Sequence, residues 1–301
     1  MKIFRLFSLL AFLTLSTLIF TACEEDSNDP VSADKPLPAA PTNLRATSLS
    51  STEVQLKWDR SASHDSSWFA GYELTITGGS PMTPIKIGKV DNYKVTGLQE
   101  GVIYTFTLKS VNTDNKTSTG STSVIWSPAS RFVDSDIRMY VFESTNGSGL
   151  TLYGANNKPQ NLKATERAQW HLGLDNRTTG ALWFGSAKLI DIGTATPTDK
   201  VEIADTYWET NSLDNVLEKA ALNTYNFAER RVNLLQLDKG TGLVFVVRVM
   251  RQGQTNWNYA KVLVERGSGG FLQGTGNDRY IQMKISYQKT VGVPYAKTSN
   301  D

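Results

Sequence analysis

The chain opens on a run that is apolar from Leu6 to Phe20, 15 residues with Ser8, Thr14, Ser16 and Thr17 as interruptions. A membrane-spanning helix needs roughly 20 such residues. The shorter run predicts a secretory signal segment, with Lys2 and Arg5 as its basic start and the small residues Thr21 and Ala22 at its end. From Glu24 to Ala40 the sequence EEDSNDPVSADKPLPAA has no hydrophobic period and carries Pro30, Pro36 and Pro38. This composition predicts a tether, extended by proline, that lifts the folded part off a surface.

From Pro41 the pattern becomes one of short strands with period two. Val54, Leu56 and Trp58 alternate with Glu53, Gln55 and Lys57. Tyr72, Leu74 and Ile76 alternate with Glu73 and Thr75, and Tyr104, Phe106 and Leu108 with Thr105, Thr107 and Lys109. Each strand has one wet face, and turn residues separate the strands, which together predict an antiparallel β-sandwich.

After Phe132, IRMYVFES predicts a strand and TNGSGLTLYGANNKPQN a turn-rich segment. QWHLGLD and ALWFGSAKLI predict further strands joined by DNRTTG. One short helix is predicted at NSLDNVLEKAAL. Asn211 or Ser212 can cap it, Asp214 favours its first turn, and Leu213, Val216, Leu217 and Ala220 share a face. GLVFVVRVM is apolar on both faces apart from Arg248, as in a strand buried mid-sheet, and NYAKVLVER reads as its hairpin partner. In RYIQMKISYQ, Ile281, Met283, Ile285 and Tyr287 face one way while Tyr280, Gln282, Lys284 and Ser286 face the other.

Composition narrows the chemistry. Cys23 is the only cysteine, so neither an intramolecular disulfide nor a thiolate metal cluster can form. A Cys/His catalytic pair would need His64 or His171, and neither lies in a protease-like setting. Removing residues 1–22 leaves 29 basic against 29 acidic residues, with no block of lysine or arginine, which disfavours nucleic acid as a partner.

The stretch Phe20-Thr21-Ala22-Cys23 resembles the bacterial lipobox, with Phe20 where an aliphatic residue is usual. The resemblance implies that Cys23 receives a diacylglycerol and anchors the mature chain. At about 0.8 kcal/mol per buried methylene, two or three acyl chains hold a folded domain firmly at a bilayer. Glu24, Glu25, Asp26 and Asp29 resemble the export signal that places lipoproteins on the outer face of the outer membrane in Bacteroidetes-type bacteria; read as plain chemistry, they form a solvated acidic linker.

The segments APTNLRAT, EVQLKWD, GYELTI, YKVTGLQEGVIYTFTLKSVN and WSPAS resemble a fibronectin type III domain, in the correct order, from Ala40 to Phe132. Trp58 matches the core tryptophan of the second strand. Tyr104, six residues after Leu98, matches the tyrosine-corner position whose hydroxyl bonds back to the backbone. The Arg-Gly-Asp loop of integrin-binding members is absent, so no functional residue carries over, and the resemblance implies a spacer or adhesion unit. The segment from Leu243 to Gln288 is similar to the last strands of HmuY-like haem-capturing lipoproteins. Members that bind haem use paired histidines, whereas this region has only His171, with Met250 or Met283 as a conceivable second ligand. The alternative is a satisfied structural histidine.

Catalytic motifs are absent: no Walker loop, dinucleotide fingerprint, His-Glu-x-x-His helix or nucleophile elbow occurs. The glycine-rich stretches at Gly267–Gly270 and Gly274–Gly276 link strands and read as loops. Glu202, Asp205 and Glu209 could be paired for glycoside chemistry only if their spatial separation suited it, and otherwise read as solvated. Asp175 and Asp278 could offer oxygen to calcium, but no twelve-residue loop surrounds them. Trp170, Trp183, Trp208 and Trp257 all fall in the second region. Trp257, beside Asn256, Asn258 and Gln254, either stacks on a sugar or a partner, or folds back as core.

The expected fold class is all-β, a fibronectin type III sandwich followed by a second β-sandwich-like domain with one short helix. The expected organisation is a signal peptide at 1–22, an acidic tether at 23–39, the first sandwich at 40–132 and a C-terminal β-rich domain at 133–296. The expected function is non-catalytic binding, adhesion or display by an outer-membrane lipoprotein, with Cys23 carrying lipid and Trp257 and His171 as ligand contacts. No metal or cofactor is expected, and the partners are the membrane, through the anchor, and an envelope protein or glycan. Capture of haem or a glycan, and an accessory or catalytic role in glycan hydrolysis, are the alternatives.

Overall fold

The computed structural model of the protein describes residues 34–80, 82–215 and 225–293. The expected signal segment, Cys23 and the acidic run lie outside the described residues.

Seven antiparallel strands build the first sandwich: β1 (Thr42–Ser50), β2 (Glu53–Asp59), β3 (Phe69–Thr77), β4 (Ile85–Ile87), β5 (Asn92–Val95), β6 (Tyr104–Asn112) and β7 (Thr122–Trp126). They form a three-stranded sheet in the order β1-β2-β5 and a four-stranded sheet in the order β4-β3-β6-β7. The period-two residues do what their spacing requires, since Val54, Leu56, Trp58, Tyr72, Leu74, Ile76, Tyr104, Phe106 and Leu108 are all buried. Trp58 meets Tyr72 edge-on at 5.3 Å. The Tyr104 hydroxyl accepts the Gln99 N–H at 3.0 Å, closing the corner that the sequence predicts.

The second region contributes β8 (Ser130–Tyr140), β9 (Gly149–Thr151), β10 (Gln160–Leu162), β11 (Leu172–Asp175), β12 (Trp183–Ser186), β13 (Lys200–Glu209), β14 (Phe227–Ala228), β15 (Arg231–Asn233), β16 (Leu243–Met250), β17 (Asn258–Glu265) and β18 (Tyr280–Tyr287). They make a six-stranded sheet, β14-β13-β16-β17-β18-β8, and a five-stranded sheet, β10-β9-β11-β12-β15. β16 lies between β13 and β17, which is why its sequence is apolar on both faces. The inner faces meet through Phe184 and Phe245, whose ring centroids are 5.3 Å apart, while Tyr153 stands edge-on to Tyr287 at 4.8 Å. Of the predicted helix, Leu213–Asn215 form a single 3-10 turn, with the Ser212 hydroxyl accepting the Asp214 N–H at 3.1 Å. Its remainder, from 216, lies outside the described residues.

An outer layer covers the five-stranded sheet because glycines leave room for it. Gly173 stands in register with Gly149 on one side and Gly185 on the other. A Cβ at Gly149 would come within 2.0 Å of the Trp170 indole, and one at Gly173 within 2.9 Å of Ile190. Trp170 and Ile190 therefore pack directly on sheet backbone, in one cluster with Ala187, Ile192 and Leu162 of β10. Buried Arg167 pins this layer, donating from Nε and Nη2 to the Ile190 carbonyl at 3.2 and 2.9 Å, and from Nη1 to the Ala195 carbonyl.

The two sandwiches are joined without an exposed linker. β7 ends at Trp126 and β8 begins at Ser130, and Ser127, Pro128 and Ala129 between them are buried. Inter-domain segments are ordinarily exposed. Here Gln288, fully buried, donates its amide to Ser127 Oγ at 3.2 Å and the Pro128 carbonyl at 3.1 Å. Lys261 on β17 is only 1% exposed; its Nζ lies 3.3 Å from Thr47 Oγ1 and 5.5 Å from the Trp126 ring centroid. Arg131 Nη1 donates to the Ser48 carbonyl at 3.2 Å and pairs with Asp214. From Lys35 onward the described residues form one compact unit, and one apolar cluster runs through both sandwiches.

Lys261 is expected to act mainly through its buried stem. Lys261→Ala should lower unfolding stability by about 2 kcal/mol, and Lys261→Met, which keeps the stem, by under about 1 kcal/mol. Denaturant midpoints at unchanged slope measure both, and equal losses would place the effect in the charge instead.

Candidate functional site

His171 precedes β11, where its backbone N–H bonds to the Leu150 carbonyl at 2.9 Å and the chain direction sends its ring inward, 2% exposed. Nδ1 accepts the Leu152 N–H at 2.9 Å, so that nitrogen carries no proton. Nε2 then bears the hydrogen and donates it to Asp199 Oδ2 at 2.8 Å. Asp199 Oδ1 accepts the Gln252 N–H at 2.8 Å. Burial pushes the Asp199 carboxyl up, but the His171 and Gln252 hydrogen bonds and the nearby positive charge of Arg251 outweigh it and hold the pKa below its ordinary value. Tyr153, Gln160, Gln169, His171, Asp199 and Arg251 line a polar cavity of about 330 Å³ here.

Haem iron needs a ring nitrogen with a free lone pair. In His171 one lone pair is occupied by Leu152 and the other nitrogen is protonated toward Asp199. Met283 is a core residue at 1% exposure on β18, and Met250 ends β16.

Trp257 sits elsewhere and does not line that cavity. Its indole is half-buried and packs on the core, with the Arg248 guanidinium 4.1 Å and Lys200 Nζ 5.2 Å from the ring centroid. The same guanidinium lies 4.5 Å from the Phe227 ring. Glu202, opposite Arg248 in the ladder, accepts from Arg248 Nε at 2.8 Å and also from Nη2, and pairs with Lys200 at 2.7 Å. Burial raises the Glu202 carboxyl, and the bonds from Lys200 and Arg248 bring it below its usual value. An arginine thus holds the tryptophan that the sequence left between a sugar platform and core.

The other acidic residues singled out by the sequence are largely engaged. Glu209 pairs with Lys239 at 2.6 Å, and Asp175 takes Arg177 Nε at 2.9 Å and Nη2 at 3.0 Å. Asp278 accepts the Ser144 hydroxyl at 2.8 Å. Among the described residues no three His, Cys, Asp or Glu side chains are grouped to hold a metal ion. Asp205 is exposed on a bulge of β13, where Ala204, Asp205 and Thr206 stand opposite the single residue Val246, between the pairs Ile203–Val247 and Tyr207–Phe245. The bulge opens a crevice of about 400 Å³ between the sheets, floored by Ile203, Tyr207, Val232 and Phe245 and rimmed by Asp205 and Arg231. Sequence reasoning missed this crevice and the partners Asp199 and Arg251. The signal for the crevice was Asp205, which in VEIADTYWE shares the parity of the inward-packed Ile203 and Tyr207 yet is polar and exposed.

The Asp199 carboxylate should stabilise the fold fully at pH values above its ordinary unfolded pKa and lose that contribution as pH falls through its lowered folded value. Asp199→Asn should therefore cost roughly 1–2 kcal/mol near neutrality, a gap expected to close toward about pH 3. Unfolding curves across that range check this, and a gap independent of pH would assign the loss to packing. Haem titration of the full chain should give no saturable Soret change.

The Fibronectin type III domain family model matches residues 39–125. Among solved structures, the FN5 domain of Drosophila Lar is similar at 21% identity, covering 31% of this chain and 98% of that one, with a TM-score of 0.24. The FN3 domain of human collagen XX is 17% identical, covering 31% and 99%, with a TM-score of 0.23. A two-domain fibronectin type III segment from chicken tenascin is 14% identical, covering 75% and 98%, with a TM-score of 0.26. No curated protein matches the chain. The first sandwich is accordingly a fibronectin type III domain, a module of the binding and adhesion type.

Proposed function

We propose that this protein is a non-catalytic binding module of the bacterial cell envelope, held at the outer membrane by lipid on Cys23 and displaying its second sandwich through the fibronectin type III domain. The observation that carries the reading is the junction between the sandwiches. Lys261 and Gln288 of the second region reach Thr47, Ser127 and Pro128 of the first, all of them buried. A spacer fixes the position of what it carries only if its far joint does not bend, and this joint is packed like an interior.

The anchor is supported by the lipobox-like residues Phe20 to Cys23 and by the proline-containing tether that follows them. The specificity belongs to the second sandwich, which carries a polar cavity beside His171 and a crevice with a charged rim over an apolar floor. Labelling cells with a tagged fatty acid tests the anchor. Label is expected in the wild type and absent in Cys23→Ala, and equal labelling of the two would sink the proposal.

A further inference from the structure

We infer that the cavity beside β9 and β11, walled by Arg251, Asp199 and Gln169, is a binding site for a small hydroxylated carboxylate with the chemistry of a uronic acid. The inference rests on the second sandwich being the binding part of the protein, and it is independent of the lipid anchor.

The argument starts from Arg251. Its guanidinium lies 5.2 Å from the Tyr153 ring centroid, and its Nε is buried without a hydrogen-bond partner among the described residues. A buried donor left unpaired costs free energy. Arg167, Arg177 and Arg248 place their donors on carbonyls or carboxylates within the chain, whereas no side-chain hydrogen bond or ion pair engages Arg251 among the described residues. Its planar fork of donors fits a carboxylate.

Asp199 supplies the complementary half. Each oxygen already takes one protein donor, from His171 Nε2 and from the Gln252 N–H, which fixes the carboxylate in place. Each keeps further acceptor capacity, and an ionised carboxylate can only accept. The ligand must therefore present a hydroxyl or another donor to Asp199 while its own anion meets Arg251. The standing negative charge of Asp199 disfavours a dianion such as a phosphate monoester at the same place. Gln169 and Gln160 add amides for further hydroxyls. At about 330 Å³ the cavity is at the small end of ligand pockets, the scale of one sugar ring rather than a chain. Arg251 lies over the Tyr153 ring and Trp257 does not line the cavity, so no aromatic platform favours a neutral sugar.

Isothermal titration of the full chain with sodium glucuronate, glucose and glycine is the test. Saturable glucuronate binding is expected, with glucose and glycine at least tenfold weaker. Arg251→Lys, which keeps the charge and loses the fork, should weaken glucuronate at least tenfold at an unchanged thermal midpoint, and Gln169→Ala several-fold. Absence of glucuronate binding, glucose binding as tightly, or affinity indifferent to both substitutions would overturn the assignment. Glycine binding as tightly as glucuronate would also overturn it, replacing the hydroxy acid with a zwitterion. None of these outcomes depends on whether Cys23 carries lipid.

Discussion

The burial of Lys261 at the joint between the sandwiches is the constraint around which the molecule is arranged. Removing an ammonium from water costs several kcal/mol unless polar and aromatic partners replace the solvent. Those partners include Thr47 and Trp126, which belong to the other sandwich. The six-stranded sheet can therefore keep this lysine inside only while the fibronectin type III domain stays seated on it. The surrounding contacts repeat the dependence: Arg131 reaches back to the Ser48 carbonyl, and the Gln288 amide bonds to Ser127 and Pro128, two of the three residues that connect the domains. Because one apolar cluster runs through both sandwiches, the joint is part of the interior.

The same accounting of polar groups separates structure from recognition in the second sandwich. Glu202, Glu209 and Asp175 look like chemistry in the sequence, yet each is held by arginine or lysine in the fold. Arg167 and Arg248 are likewise occupied, one as a clamp on backbone carbonyls and the other between two aromatic rings and a carboxylate. His171 has both nitrogens engaged, which makes it a support for Asp199. Arg251, by contrast, makes no side-chain hydrogen bond or ion pair among the described residues, and it lines a polar cavity whose carboxylate is already oriented by that histidine.

Strands whose partners lie close in sequence were the legible part. The alternation at Val54 to Trp58 and at Tyr104 to Leu108 specified inner faces directly, and the apolar run at Leu243 to Met250 specified a central strand. Arg248, the lone charge in that run, marked the ladder position where Glu202 and the Trp257 ring converge, although only the register reveals it. The candidate cavity was illegible for a different reason. His171, Asp199 and Arg251 come from three segments, and no local period links residues 28 and 52 positions apart. The outer layer on the five-stranded sheet was hidden in the same way, because Gly149 and Gly173 read as turn or strand breakers until Trp170 and Ile190 are seen lying on them.

The connection between β7 and β8 also determines how the molecule bears tension. Three residues can extend by no more than about 10 Å, and Ser127, Pro128 and Ala129 have little slack to release. A pull transmitted through the fibronectin type III domain would enter the second sandwich along β8, an edge strand fastened to β18 at Ser130–Phe132 and again at Ile137–Tyr140. Its resistance would then be set by that ladder of hydrogen bonds loaded along its length, so the strand that joins the domains is also the one through which tension passes from one sandwich to the other.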